Sequence, residues 1–259
     1  MTATTARAVA RELLDLVLPV TCAGCGAPGR ALCAACLHRF AGPPRRCERA
    51  AGRLDRMDGT VLPVWAPAAN DGPVRRAVVA WKDGGRADVT PWFAAVLARA
   101  APALDLAGEP DAPGPRRAGD GGARPLLVVG APPSPRGRAR RGEDLVGALA
   151  AAVAAALPPA AAVPALRLAG GGRDQVGLGV RGRAANLAGR VRVRPRARAA
   201  LAGSRVLLVD DVLTTGATLA ACRAALESAD VQVAGALVLA VTRPPGSPTA
   251  WLEASPDPG

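Results

Sequence analysis

The segment TCAGCGAPGRALCAACLHRF carries Cys22 and Cys25, then Cys33 and Cys36, two C-x-x-C pairs separated by seven residues. A two-residue spacer lets both thiolates of a pair turn onto one ion. Four thiolates complete the tetrahedral shell of a structural Zn²⁺. Gly24 and Gly26 suit a tight knuckle in which backbone approaches sulfur. Two disulfides are the alternative and would suit a secreted chain. However, Arg11, Glu12 and Asp15 interrupt the only apolar stretch of the first twenty residues, which breaks a signal-peptide core. A closed Cys₄ site has no open coordination position, so the expected metal is structural rather than catalytic. Cys47 and His38 could substitute as ligands, and Cys222, in a helical pattern, reads as a small core residue.

A second constellation lies near the carboxyl end. Val206 to Val209 is an apolar run that ends in Asp210 and Asp211. Val212 and Leu213 then lead to Thr214-Thr215-Gly216-Ala217-Thr218, just ahead of an alanine-rich helical stretch. Ligands of open α/β sheets bind outside the carboxyl ends of the strands. Small loop residues let consecutive N–H groups converge, and the helix start adds unpaired donors and the positive end of the dipole. Such a loop suits a phosphate monoester, and two carboxylates one loop away suit the hydroxyls of an attached ribose. The simpler reading is a strand end with an ordinary threonine cap. The loop carries neither GxxxxGK[ST] nor GxGxxG.

Both constellations need elements to position them. Val61–Trp65, Pro125–Gly130, Arg205–Asp211 and Val231–Val241 read as strands. Pro73–Lys82 and Pro91–Ala100, each opened by proline, read as helices, as do Asp144 to about Leu157 and Thr218–Ser228. Uniformly apolar strands alternating with helices predict an α/β fold with a parallel sheet covered on both faces. The expected division is 1–44 for an N-terminal helix and Cys₄ finger, 45–59 for a polar connector and 60–242 for the α/β domain. Residues 107–124 read as a flexible insertion and 243–259 as a disordered tail. On this division, losing the finger's metal leaves the later domain standing.

The 259 residues include 33 basic and 21 acidic side chains, for a net charge of +12. A chain that is half hydrophobic is neither wholly disordered, collagenous nor a coiled coil. The basic surface favours polyanionic partners, although the dominance of arginine also reflects a GC-rich coding bias. The one lysine, Lys82, either serves a site that needs a compact ammonium or is a codon that escaped that bias. Arg173 through Arg205 holds nine arginines against one acid, Asp174, which could follow a phosphate backbone. Two phenylalanines, four tryptophans and no tyrosine make no evident stacking platform, so direct nucleic-acid binding is left open. Leu145 to Val163 is uncharged over nineteen residues, but it is mostly alanine and contains Pro158 and Pro159. It reads as a buried helix and a turn rather than a membrane span. A soluble, cytoplasmic protein without membrane insertion is expected.

The string DDVLTTGAT resembles the phosphoribosyl-pyrophosphate (PRPP) motif of type I phosphoribosyltransferases. A Cys₄ finger ahead of it resembles the ComF family of competence-associated, phosphoribosyltransferase-like proteins. AVVAWKDGG, around Lys82, resembles that family's lysine-containing helix end. RDQVGLGVRGRAANLAGR resembles its R..Q..L....R..N..G pattern through Arg173, Gln175, Leu178, Arg183, Asn186 and Gly189. Gly130-Ala131-Pro132 stands where the family has Pro-Val-Pro, and Arg141-Gly142-Glu143-Asp144-Leu145 where it has RGFNQ.

The resemblance implies a type I phosphoribosyltransferase-like parallel sheet flanked by helices. It implies that Thr214, Thr215, Gly216, Ala217 and Thr218 hold the 5′-phosphate and that Asp210 and Asp211 hold the ribose 2′- and 3′-hydroxyls. Mg²⁺ would accompany PRPP. Candidate pyrophosphate or acceptor contacts are Lys82, Ser134, Arg140, Arg141, Arg173, Gln175, Arg183 and Asn186. The activity implied is phosphoribosyl transfer to an unidentified acceptor. A nucleotide-sensing module, or an accessory of single-stranded DNA uptake with a helicase partner, is the alternative.

Overall fold

Two long apolar runs set the centre of the molecule, because each is buried on both faces and can only be an interior strand. In the computed structural model, residues 20–51, 54, 61–106, 124–133, 144–169 and 189–243 are described. Along the chain come α1 (Ala34–His38), β1 (Arg45–Arg46), β2 (Val64–Ala66), α2 (Gly72–Lys82), α3 (Thr90–Ala100), β3 (Leu126–Gly130) and α4 (Leu145–Ala155). Then follow β4 (Ala161–Ala162), β5 (Leu166–Leu168), β6 (Val191–Val193), α5 (Arg198–Leu201), β7 (Arg205–Leu213), α6 (Ala217–Glu227) and β8 (Gln232–Val241).

Six strands form one sheet in the order β1-β2-β8-β7-β3-β4. β2, β8, β7, β3 and β4 run parallel, and β1 closes one edge antiparallel to β2. Helical connections make the parallel pairing possible, and the buried β7 and β8 carry its longest ladder. One face of the sheet packs on α2, α3 and α4, where Leu207 and Val209 meet Trp81, Phe93, Leu97 and Leu149. On the other face, Val206 and Leu208 meet Leu219, Cys222 and Leu226 of α6. The mixed α/β fold with a mostly parallel sheet flanked by helices is therefore as the sequence implied.

The expected helices start and stop within a residue or two of their positions. The uncharged run from Leu145 forms the anticipated helix, α4, and a turn, with the side chain of Asp144 accepting the Gly147 N–H at 2.9 Å, and it then adds the short strand β4, which the sequence reading did not include. No helix among the described residues is long and apolar enough to cross a membrane.

Three features differ from the sequence reading. Arg45–Arg46, expected as connector, pairs into the sheet, and Cys47, Ala51 and Leu54 after it are buried. The Glu48 carboxylate pins this segment, receiving Arg46 Nε at 2.9 Å and the Val64 N–H at 3.2 Å. β5 and β6 form a separate antiparallel pair that brackets residues 169–190. Finally, the finger shares the core of the sheet domain. Phe40 is fully buried with its ring 5.5 Å from that of Phe93, and Arg76 Nε donates to the Gly24 carbonyl at 2.6 Å. Arg86 donates to the Thr21 carbonyl at 2.8 Å, and Arg99 donates to the Phe40 carbonyl.

The N-terminal helix expected before residue 20, the insertion over 107–123, the basic loop over 134–143, the stretch over 170–188 and the tail after 243 lie outside the described residues.

Candidate functional site

β7 delivers Asp210 and Asp211 to the carboxyl edge of the sheet, where both are buried. Successive strand residues point to opposite faces. Asp210 continues the row of Val206 and Leu208 toward α6, and its charge helps to raise the thiol of Cys222 there, after burial. Asp211 continues the row of Leu207 and Val209 toward α2. There Lys82 Nζ lies 2.6 Å from Asp211 Oδ2. Each carboxylate also receives a main-chain donor, the Asp211 N–H on Asp210 Oδ1 at 2.8 Å and the Val212 N–H on Asp211 Oδ1 at 2.7 Å.

The electrostatics separate the two acids. Burial, and then the charge of Asp211, push the Asp210 carboxyl up to about 7, against the opposing pull of Lys82 and the Asp211 N–H. Burial works against the charge on Lys82, but the carboxylates of Asp211 and Asp210 outweigh it and hold the ammonium above the usual lysine value. The neighbouring acids thus differ in environment: burial and its neighbour's charge push the Asp210 carboxyl up, whereas Asp211 is paired with Lys82.

Thr214 to Gly216 connect the strand to α6. Gly216 is the N-cap at φ +77°, a left-handed conformation, and no side chain caps the helix. A Cβ at this position would also lie 2.7 Å from Leu54 Cγ and 3.2 Å from Ala51 Cβ. The loop therefore rests on Ala51 and Leu54, two residues that the sequence reading placed in a polar connector. Their spacing with Cys47, at i, i+4 and i+7, was a legible apolar stripe. Thr214 is exposed, Thr215, Ala217 and Thr218 are half-buried, and the Thr215 hydroxyl approaches the Ala217 N–H at 3.5 Å. A helix start with no side-chain cap and flanking hydroxyls has donors that could receive an anion.

Beyond β3, a cavity of about 300 Å³ opens where Gly130, Ala131, Asp144, Ala162, Pro164 and Arg194 meet. Gly130 is the register partner of Val209, so its mouth lies one strand from the acidic pair. Asp144 of the departing Glu143-Asp144 sequence is engaged as the α4 cap. Ser134, Arg140, Arg141, Arg173, Gln175, Arg183 and Asn186 lie outside the described residues, so Lys82 is the one candidate pyrophosphate or acceptor contact placed at the edge.

The four cysteines come together as their spacing predicts. The Sγ atoms of Cys22, Cys25, Cys33 and Cys36 all lie within 4.8 Å of one another, against about 3.8 Å between thiolates on one tetrahedral zinc. None is in a disulfide, and Cys25 and Cys33 are 3.6 Å apart at sulfur. A Cβ on Gly24 would lie 2.8 Å from Cys36 Sγ, and Gly26 has φ +81°, so the knuckle glycines serve as expected. Burial raises the Cys22 thiol, but N–H groups of Cys33, Cys25 and Gly24 outweigh it and bring it down to about 6. Burial and the neighbouring thiols push Cys36 up. The set could hold a structural metal such as zinc. His38 sits at the exposed end of α1, and Cys47 donates to the Val64 carbonyl at 3.3 Å.

Phe40, Trp65, Trp81 and Phe93 are buried and Trp92 packs against the core, so the described residues present no aromatic platform for bases.

Residues 140–251 match the phosphoribosyl transferase domain family. The matched segment contains β7, the threonine loop, α6 and β8, and it supports a phosphoribosyltransferase-like protein. No curated protein matches the chain.

Proposed function

We propose that the carboxyl edge of the sheet binds a 5-phosphorylated ribose, with PRPP as the full ligand, and that the protein transfers the phosphoribosyl group to an acceptor. One observation carries the reading: a buried Asp210-Asp211 pair stands one short loop ahead of an uncapped helix start whose N-cap, Gly216, is left-handed. The loop N–H groups and threonine hydroxyls hold the 5′-phosphate. Asp211 accepts from the ribose hydroxyls, and Asp210 does so when ionised. The Cys₄ cluster ahead of this domain supports the likeness to the ComF family.

Transfer breaks the bond from C1 to the diphosphate, which leaves as pyrophosphate with the bonding electron pair. The sugar carbon becomes cationic and is then bonded by a lone pair of the acceptor's nucleophilic atom. The chain's part is to fix geometry and place charge, which needs no dedicated nucleophile. The only histidine, His38, is in the finger, so imidazole acid–base chemistry is not part of the scheme. The carboxylates of Asp210 and Asp211 are hard oxygen donors that would suit a Mg²⁺ accompanying PRPP, and such an ion would supply charge neutralisation for the leaving diphosphate. In the finger, Cys22, Cys25, Cys33 and Cys36 would hold one zinc as a structural centre.

The test is calorimetric titration of PRPP and ribose 5-phosphate, with and without Mg²⁺, followed by a screen for pyrophosphate release over nucleobases and amines. Binding of both sugars, with PRPP strengthened by Mg²⁺, is expected. A folded protein that binds neither overturns the reading.

A further inference from the structure

Lysine occurs once in the chain, at position 82, and every other basic side chain except His38 is arginine. That one ammonium lies on Asp211 Oδ2, and its attachment is rigid at one end and loose at the other. Lys82 is the last residue of α2. The Arg76 bond to the Gly24 carbonyl holds that helix against the finger. At its end, Trp81 Nε1 donates to Thr90 Oγ1 at 2.9 Å and the Asp83 N–H closes on the Val79 carbonyl at 2.8 Å. From this fixed base a four-carbon stem carries the ammonium, and the side chain is 46% exposed, whereas that of Asp211 is 8% exposed.

Asp211 Oδ1 accepts the Val212 N–H and Oδ2 carries the Lys82 ammonium, so a sugar hydroxyl that takes Oδ2 meets that ammonium. A hydroxyl donor arriving there competes with the ammonium. A guanidinium would grip the carboxylate through two parallel N–H bonds and resist displacement, whereas an ammonium is a point charge that can turn away on its stem. We propose that Lys82 is a displaceable counter-ion. It neutralises Asp211 until a phosphorylated ribose binds, then yields Oδ2 to a sugar hydroxyl and turns its charge to the ligand's phosphate oxygens. The inference rests on the ribose reading above and adds to it a positioning residue with two stations.

The competing account is a permanent ion pair that only stabilises a buried acid. Full-length protein labelled with ¹³C,¹⁵N-lysine carries label at one residue, so the Cε resonance of Lys82 reports on it alone. Ribose 5-phosphate should move that resonance, and inorganic phosphate, which has no hydroxyl-bearing ring, should move it much less. In calorimetry, Lys82→Arg should weaken ribose 5-phosphate binding by ~10-fold or more with no loss of thermal stability. Lys82→Met should weaken binding and also lower the Tm, because it leaves a buried carboxylate unpaired. A Cε resonance unmoved while calorimetry shows binding overturns the displacement, as does Lys82→Arg binding like the unaltered protein. If the unaltered protein binds neither ribose 5-phosphate nor PRPP, the ribose reading fails and this inference falls with it.

Discussion

At the scale of single residues, Asp210 and Asp211 are adjacent in sequence but differ in environment. Their identity and their place at a strand end were legible, because four apolar residues lead directly into them. Their division of labour was not, because it depends on Lys82, more than a hundred residues away in the chain and brought to Asp211 only by packing. The separation predicts unequal mutants. On the proposed ribose reading, Asp211→Asn removes the charge that pairs with Lys82 and turns one of the two carboxylate acceptors into an amide donor, and should weaken ribose 5-phosphate binding ~10-fold or more by calorimetry.

Asp210→Asn should act first on stability. In the folded protein the Asp210 carboxyl holds its proton up to about 7, well above an unfolded aspartate. Between roughly pH 4 and that value the native state therefore binds the extra proton, and stability falls as pH rises through the window. Above it, the full cost of a buried charge is present. Thermal melts between pH 4.5 and 8 should show Asp210→Asn gaining on the unaltered protein as pH rises. Parallel curves for the two proteins would show that Asp210 is not titrating there.

At the scale of elements, the strands and helices that the sequence announced were those with enough residues to show a pattern. β7 carries the apolar run Val206–Val209 and β8 has no charged residue and one polar one, Gln232, while α2 and α3 are opened by proline. β1, β4, β5 and β6 have two or three residues each, and pairing partners rather than local propensity make them strands. The threonine loop was legible as a short connection from strand end to helix start, but its floor was not, since Ala51 and Leu54 come from a segment whose arginines dominate its composition.

That floor changes how the loop must be tested. Gly216→Val would combine a left-handed strain with a collision against Leu54, so lost binding could reflect lost folding. Thr218→Val is nearly isosteric and removes only a hydroxyl. It should weaken ribose 5-phosphate binding by roughly 10-fold while leaving the Tm unchanged, the value of one hydrogen bond to a charged phosphate. Gly216→Ala should lower the Tm in the absence of any ligand, and Leu54→Ala in the same chain should recover part of the loss by removing the collision while leaving the backbone strain. Failure of the second substitution to recover any stability would mean that the backbone strain, not Leu54, is what demands glycine.

At the scale of the whole molecule, the finger is tied to the helices that carry Lys82 to the acidic pair. The two C-x-x-C pairs were legible as a metal site from spacing alone, but the burial of Phe40 was not, because one phenylalanine after a cysteine motif carries no sign of where it packs. Phe40 meets Phe93 of α3, Phe93 meets Trp81 of α2 at 5.3 Å, and Lys82 follows Trp81 directly. Losing the metal should therefore not leave an intact sheet domain behind. Four thiolates that lose their ion repel one another or protonate, and a segment this small has too little core to hold its shape without them. Release of Phe40 from α3 then opens a void beside Trp81, and a phenylalanine lost from a core typically costs about 3–5 kcal/mol. Chelation of the metal, or Cys33→Ser, should lower the Tm of the entire chain in a single transition and weaken ribose 5-phosphate binding. Phe40→Ala should reproduce the Tm loss while metal content stays at one ion per chain by elemental analysis. Two separate melting transitions, with the sugar-binding one insensitive to chelator, would show the finger to be an independent module.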